Sequence, residues 1–139
     1  MPYVEGRSIC DADSHIMEFP MWLHEYIEQG AGWVVSWLRE LDLTQRSFAR
    51  DEPVLRNLAM KPSEFARRHL RFTPFPHEDV AWMLEQAGPE LFLFSSDFPH
   101  PEGSRDPVGH FDSLLQGVSD QARRAFYAEN FKDLMGSAI

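Results

Sequence analysis

The chain has 139 residues, enough to bury the core of one domain, and its 43% hydrophobic, 25% charged and 13% aromatic content is that of a folded globular protein, which excludes wholesale disorder. A formal charge of -9 argues against a nucleic-acid backbone as partner, and the single cysteine, Cys10, excludes an intrachain disulfide. No apolar run approaches the roughly 20 residues of a membrane span and no basic segment followed by an apolar stretch opens the chain, so the expectation is a cytoplasmic protein with no membrane partner.

Ser8, Ile9 and Cys10 read as a short strand running into the polar Asp11-Ala12-Asp13-Ser14-His15, after which Glu18, Phe19 and Pro20 turn the chain away. Trp22, Leu23, Tyr26 and Ile27 recur at helical spacing until Gly30-Ala31-Gly32 interrupts them, and the helix resumes through Trp33, Trp37, Leu38 and Leu41. Asp51 and Pro53 open a short helix through Leu55 and Leu58, and Pro62 opens another over PSEFARRHL. Residues 71–75 read as a brief strand ended by Pro74 and Pro76. Pro76, Glu78 and Asp79 suit a helix start, with Val80, Met83, Leu84 and Ala87 as its apolar face and Gly88 as its end. A buried strand over 91–96 follows, then a loop over 97–109, and Ser119 caps a last helix carrying Ala122, Phe126, Phe131 and Leu134 before Gly136. Strand, helix, strand, loop and helix in succession predict an α/β layer with parallel pairing.

Two strand ends carry the chemistry. Strand alternation puts Asp13 and His15 on one side, where a carboxylate and an imidazole can share a divalent cation; the same residues also suit a plain turn with His15 exposed. Asp97 closes the apolar run LFLF and is a metal ligand, a general acid/base, or the cap of the following loop. His100 either orients substrate or fixes its own turn. Arg67, Arg68 and Arg71 offer guanidinium groups to a carboxylate substrate, or form a solvated helix face beside Glu64.

Together, DADSHIMEFP, GAGWVVSWLRELD, KPSEFARRHLRFTPFPHEDVAWMLEQAG and LFLFSSDFPHPEG resemble the amidohydrolase-related superfamily, and within it the aminocarboxymuconate-semialdehyde-decarboxylase-like branch. The resemblance implies a (β/α)8 barrel enzyme with one divalent metal, zinc or manganese, that decarboxylates, hydrates or hydrolyses small carboxylated, often aromatic substrates. It implies Asp13 and His15 as the first-strand metal pair and Asp97 as the eighth-strand aspartate that neighbours the metal and transfers protons. Glu28 lies where some members carry a sixth-strand histidine, and Phe98 stands in place of the commoner tyrosine.

At 139 residues the chain is well short of the roughly 250 of a usual barrel. The likeness passes from the first-strand motif almost directly to the stretch after strand six, with a deletion junction near 22–28. The expectation is therefore a single truncated domain over 1–139: a partial (β/α)8 TIM barrel retaining strands one, seven and eight as a small parallel sheet with outer helices. Its order 7-8-1 would bring Asp13, His15 and Asp97 to one edge. Leu93 and Phe94 would lose their opposing strands, which predicts exposed apolar surface and a homo-oligomer. The functional expectation is a metal-dependent hydrolase or carboxy-lyase; the alternative is a non-catalytic oligomerising or regulatory remnant of such a barrel.

Overall fold

The computed structural model describes Gly6, residues 30–98 and residues 104–136. Helix α1, Val34–Phe48, follows the turn at Gly30-Ala31-Gly32 and buries Val34, Val35 and Leu38 along one face. No side chain of its own caps it. Instead the Glu78 carboxylate, distant in sequence, accepts the N–H of Gly32 at 2.6 Å and that of Ala31 at 2.9 Å, while also taking Phe75 N–H at 2.7 Å. An acid set against a helix N-terminus completes orphan backbone donors and complements the helix dipole. The glycines make room for it: a Cβ on Gly30, whose φ is +38°, would collide with the Glu78 carboxylate, and one on Gly32 would come to 2.8 Å from Oε1.

Helix α2, Pro53–Arg56, and helix α3, Pro62–His69, each begin on proline, whose missing N–H costs nothing in a first turn. Asp42 of α1 ties α3 down by accepting Ser63 N–H at 3.0 Å and Ser63 O–H at 2.8 Å. Helix α4, Val80–Ala87, starts at Asp79, whose side chain accepts Trp82 N–H, and turns its Val80, Met83, Leu84 and Ala87 face into the core. A 3-10 turn, Pro89–Leu91, then leads into an extended, fully buried run from Phe92 to Ser96.

Helix α5, Pro107–Leu114, begins two residues before the predicted loop ends; Asp106 caps it by accepting Gly109 N–H at 3.0 Å. The final helical run starts as predicted at Ser119, whose hydroxyl accepts Ala122 N–H, and comprises α6, Asp120–Arg124, a π turn, Ala125–Glu129, and α7, Asn130–Met135. In the π turn Asn130 N–H reaches back five residues to Ala125 O.

The structure corrects the predicted architecture. Among the described residues there is no sheet, only one isolated parallel bridge between Phe72 and Phe92, and helices dominate. Leu91 O accepts Phe72 N–H at 2.8 Å and Phe72 O accepts Leu93 N–H at 2.9 Å, so one edge of the run pairs with a single residue before Pro74 and Pro76 end the possibility. The opposite edge is taken by the last helical run. Asn130 Nδ2 donates to Phe92 O at 2.9 Å, and Phe126 O of the π turn accepts Phe94 N–H at 3.0 Å. A strand alternates its backbone groups between edges, so Leu91 O and Leu93 N face Phe72 while Phe92 O and Phe94 N face the helix. Among the described residues, Leu91 O and Leu93 N–H thus pair with Phe72, and Phe92 O and Phe94 N–H with the last helical run.

The expected exposure of the inner face is also corrected. Phe94 is 0% and Leu93 4% exposed. Phe94 packs edge-on to Phe111 of α5 and to Phe126, and lies against Tyr127 at a ring separation of 5.5 Å. Helix α5 and the π turn supply this cover. The predicted strand at 8–13, the helix at 22–27 and the deletion junction near 22–28 lie outside the described residues.

Candidate active site

Asp97 sits where the buried run ends. The segment Leu91–Phe94 is apolar and buried, and the next three residues, Ser95, Ser96 and Asp97, remain buried although all are polar. Two serines curl the chain at this point: Ser95 Oγ accepts Asp97 N–H at 3.4 Å and Ser96 Oγ accepts Phe98 N–H at 3.2 Å. Such hydroxyl-to-backbone turns compete with continued extension, which is why the apolar strand pattern stops here. Asp97 is the one non-glycine residue with positive φ among the described residues, at +55°. Aspartate tolerates this left-handed region better than most side chains, yet a non-glycine there is uncommon and concentrates at functional positions. Phe98, immediately after it, swings out to 79% exposure. The result is an acid held 7% exposed at the junction of a rigid core segment and a loop.

The other predicted site residues, Asp13, His15, Glu28 and His100, lie outside the described residues, so their convergence on Asp97 rests on the sequence. Among the described residues no group of three or more His, Cys, Asp or Glu side chains is arranged to hold a metal ion. Of the three predicted metal ligands only Asp97 is among the described residues, and one carboxylate does not make a site by itself.

The arginine cluster follows neither reading fully. Arg67 is committed to the C-terminal end of α4, donating to Ala87 O and pairing with Glu90 at 2.8 Å. Arg71 has a side chain only 7% exposed; it donates to Arg67 O and pairs with Asp133 of α7 at 2.7 Å. Arg68 alone keeps to an exposed helix position. Arg67 and Arg71 are thus internal fasteners, with no described carboxylate-binding face.

One residue that fixes the Asp97-bearing segment has no role in the sequence expectations, and one that fixes the turn before α1 has a different one. Asn130, 7% exposed, spends both amide protons on the Asp97-bearing segment, donating to Pro89 O at 2.6 Å and to Phe92 O. A polar residue on the apolar stripe of the last helix was the available signal. Glu78, in sequence a helix-start acid, binds the Gly30–Gly32 turn; the pairing of a Gly-x-Gly turn with a remote acid has no local signature.

The fold resembles that of a solved amidohydrolase. No family model matches the chain, and no curated protein does. Among solved structures it is similar to an amidohydrolase from Mycobacterium avium subsp. paratuberculosis K-10, with a TM-score of 0.65, 27% sequence identity and coverage of 79% of this chain. That likeness supports the amidohydrolase-related superfamily without singling out the aminocarboxymuconate-semialdehyde-decarboxylase-like branch. The chain spans 27% of the length of that structure.

Proposed function

We propose that this chain carries the acid/base half of an amidohydrolase-type active site, acting on a small carboxylated substrate by hydrolysis or decarboxylation. The observation that carries the reading is Asp97: a carboxyl held in the left-handed region at the end of a buried segment, in a chain similar to a solved amidohydrolase. In hydrolysis Asp97 takes a proton from attacking water and returns it to the leaving group; in decarboxylation it delivers a proton to the carbon that loses CO2. Burial restricts competing water, and the two serine turns fix the backbone from which the carboxyl projects. Asp13 and His15 are proposed to complete a divalent-metal donor set with Asp97, and Glu28 and His100 to contact substrate or ligands; no step is routed through the metal.

The test is metal content and turnover on one preparation purified with zinc or manganese supplied. The proposal expects metal bound near one equivalent and turnover of small aryl carboxylates or amides that Asp97→Asn abolishes without lowering the denaturation midpoint. Asparagine suits the same φ, so the variant keeps the turn. Metal below about a tenth of an equivalent would sink the metal assignment; turnover unchanged in Asp97→Asn would sink the role of Asp97.

The alternative, a non-catalytic oligomerising or regulatory remnant, is separated from this reading on the same preparation. A stable, metal-free homo-oligomer indifferent to Asp97→Asn would establish it.

A further inference from the structure

An open cleft of about 600 Å³ lies between α4 and the turn that joins α5 to α6, and none of the residues from Leu91 to Phe98 lines it. Its volume falls within the range of small-molecule sites. One wall is a stripe of α4 and its cap: Asp79, Trp82 and Glu85 recur every third residue and so share a face. The other wall is formed by residues 116–119 and Ala122, with Val118 half-buried.

Three features give this cleft a chemical preference. Trp82 is 44% exposed and stacks on no other described ring, so part of its indole is left uncovered at the cleft. Glu85 is exposed and paired with no described cation, and Asp79 uses Oδ1 to cap α4, leaving its second oxygen uncommitted. Among the described residues no lysine, arginine or histidine lines the cleft. An anion would meet two carboxylates and no counter-charge, in a chain whose net charge is already -9. A cation would meet the negative face of an indole flanked by carboxylates, the combination that recognises ammonium groups. The apolar floor supplied by Leu84, Pro89 and Val118 suits a ligand body rather than a bare metal ion.

We propose that the cleft between α4 and the α5–α6 turn binds a small organic cation, a substituted or quaternary ammonium on an apolar body. The ammonium sits over Trp82 beside Glu85, and the body lies toward Val118. This site is independent of Asp97 and stands whether or not the chain is catalytic.

The probe is choline, compared with its neutral isostere 3,3-dimethyl-1-butanol, titrated into the full ¹⁵N-labelled chain. The signals followed are the Trp82 indole N–H and the Gly117 and Val118 amides. Choline is expected to shift these signals saturably and to bind at least about fivefold more tightly than the isostere. Trp82→Leu should weaken choline about fivefold, and Glu85→Gln about twofold to threefold with a flattened salt dependence. Both positions are exposed, and an unchanged denaturation midpoint certifies that each variant is folded. Equal affinity for choline and the isostere would show an apolar dent with no preference for charge and overturn the proposal. Shifts that fail to saturate, or that centre on other residues, would overturn it equally.

Discussion

Replacing Asn130 should loosen the one segment on which the candidate site depends. Its amide is buried, and both of its protons are spent on carbonyls of the run that leads to Asp97. Asn130→Ala removes two neutral hydrogen bonds, worth about 1 kcal/mol each in net terms. It also strands Phe92 O, in a residue 0% exposed, which adds roughly 1–2 kcal/mol of uncompensated desolvation. Pro89 is half-buried, so water can rescue its carbonyl and no further penalty is assigned there. The expected destabilisation is about 3 kcal/mol, read as a shift in the urea midpoint at unchanged slope. Asn130→Asp keeps the shape but sets a buried carboxylate against two carbonyl oxygens, and should cost roughly 3–5 kcal/mol at neutral pH. Its deficit should shrink as pH falls toward about 4, because a protonated carboxyl recovers one donor. Amide exchange localises the effect: Phe94 N–H, held by Phe126 O, should lose protection more than the amides of α1. A midpoint for Asn130→Ala within about 0.5 kcal/mol of the parent would refute the clamp and with it the account of how this run survives outside a sheet.

The turn before α1 offers a second test: Glu78→Ala leaves the N–H groups of Ala31, Gly32 and Phe75 without their acceptor and should cost about 2–4 kcal/mol by chemical denaturation. Gly30→Ala should cost roughly 1–3 kcal/mol in the parent, from positive φ and the clash with Glu78, and less in a Glu78→Ala background, so a double-mutant cycle must show coupling. Asp42 carries a pH prediction. Burial alone would raise its carboxyl, but hydrogen bonds from Ser63 with the charges of Lys61 and Arg46 outweigh burial and hold it below the ordinary value of 3.8. A carboxyl depressed in the folded state contributes stability that is fully present above its unfolded value and is lost as pH falls through the folded one. The stability gap between the parent and Asp42→Asn should therefore be constant from neutral pH to about 5 and close below about 3.8; a gap unchanged at pH 2.5 would contradict the assignment.

Local signals in the sequence were read faithfully where the deciding interactions are local. Pro62, Ser119 and Gly88 mark helix boundaries because proline, a capping hydroxyl and a positive-φ glycine, here at φ +103°, act within one turn. The end of the buried run at Asp97 was legible for the same reason, since Ser95 and Ser96 bond two residues ahead. Helix α5 begins inside the expected 97–109 loop although Asp106-Pro107 is a cap followed by a first-turn proline, because the Pro/Gly residues before it carry the stronger loop signal. What failed was anything that depends on a remote partner. An apolar run such as LFLF reports burial, and burial looks alike whether strands or helices provide it.

The run from Phe92 to Phe94 explains both why a parallel sheet was expected and why it is absent among the described residues. Its side chains are those of a barrel strand, buried on both faces, and its bridge to Phe72 is the parallel contact a seventh and eighth strand would make. A second strand on the other edge would need Phe92 O and Phe94 N, and Asn130 and Phe126 already hold them. The π turn is what makes this possible. Inserting one extra residue into a helical turn disturbs the regular i to i-4 ladder, which brings Asn130 N–H to Ala125 O and lets the Phe126 carbonyl meet Phe94 N–H of the extended run. Ring packing of Phe94 against Phe111, Phe126 and Tyr127 then covers that side chain. Asp97 consequently inherits a rigid base from helices, and the placement of this acid is a property of the last helical run as much as of the strand-like segment that carries it.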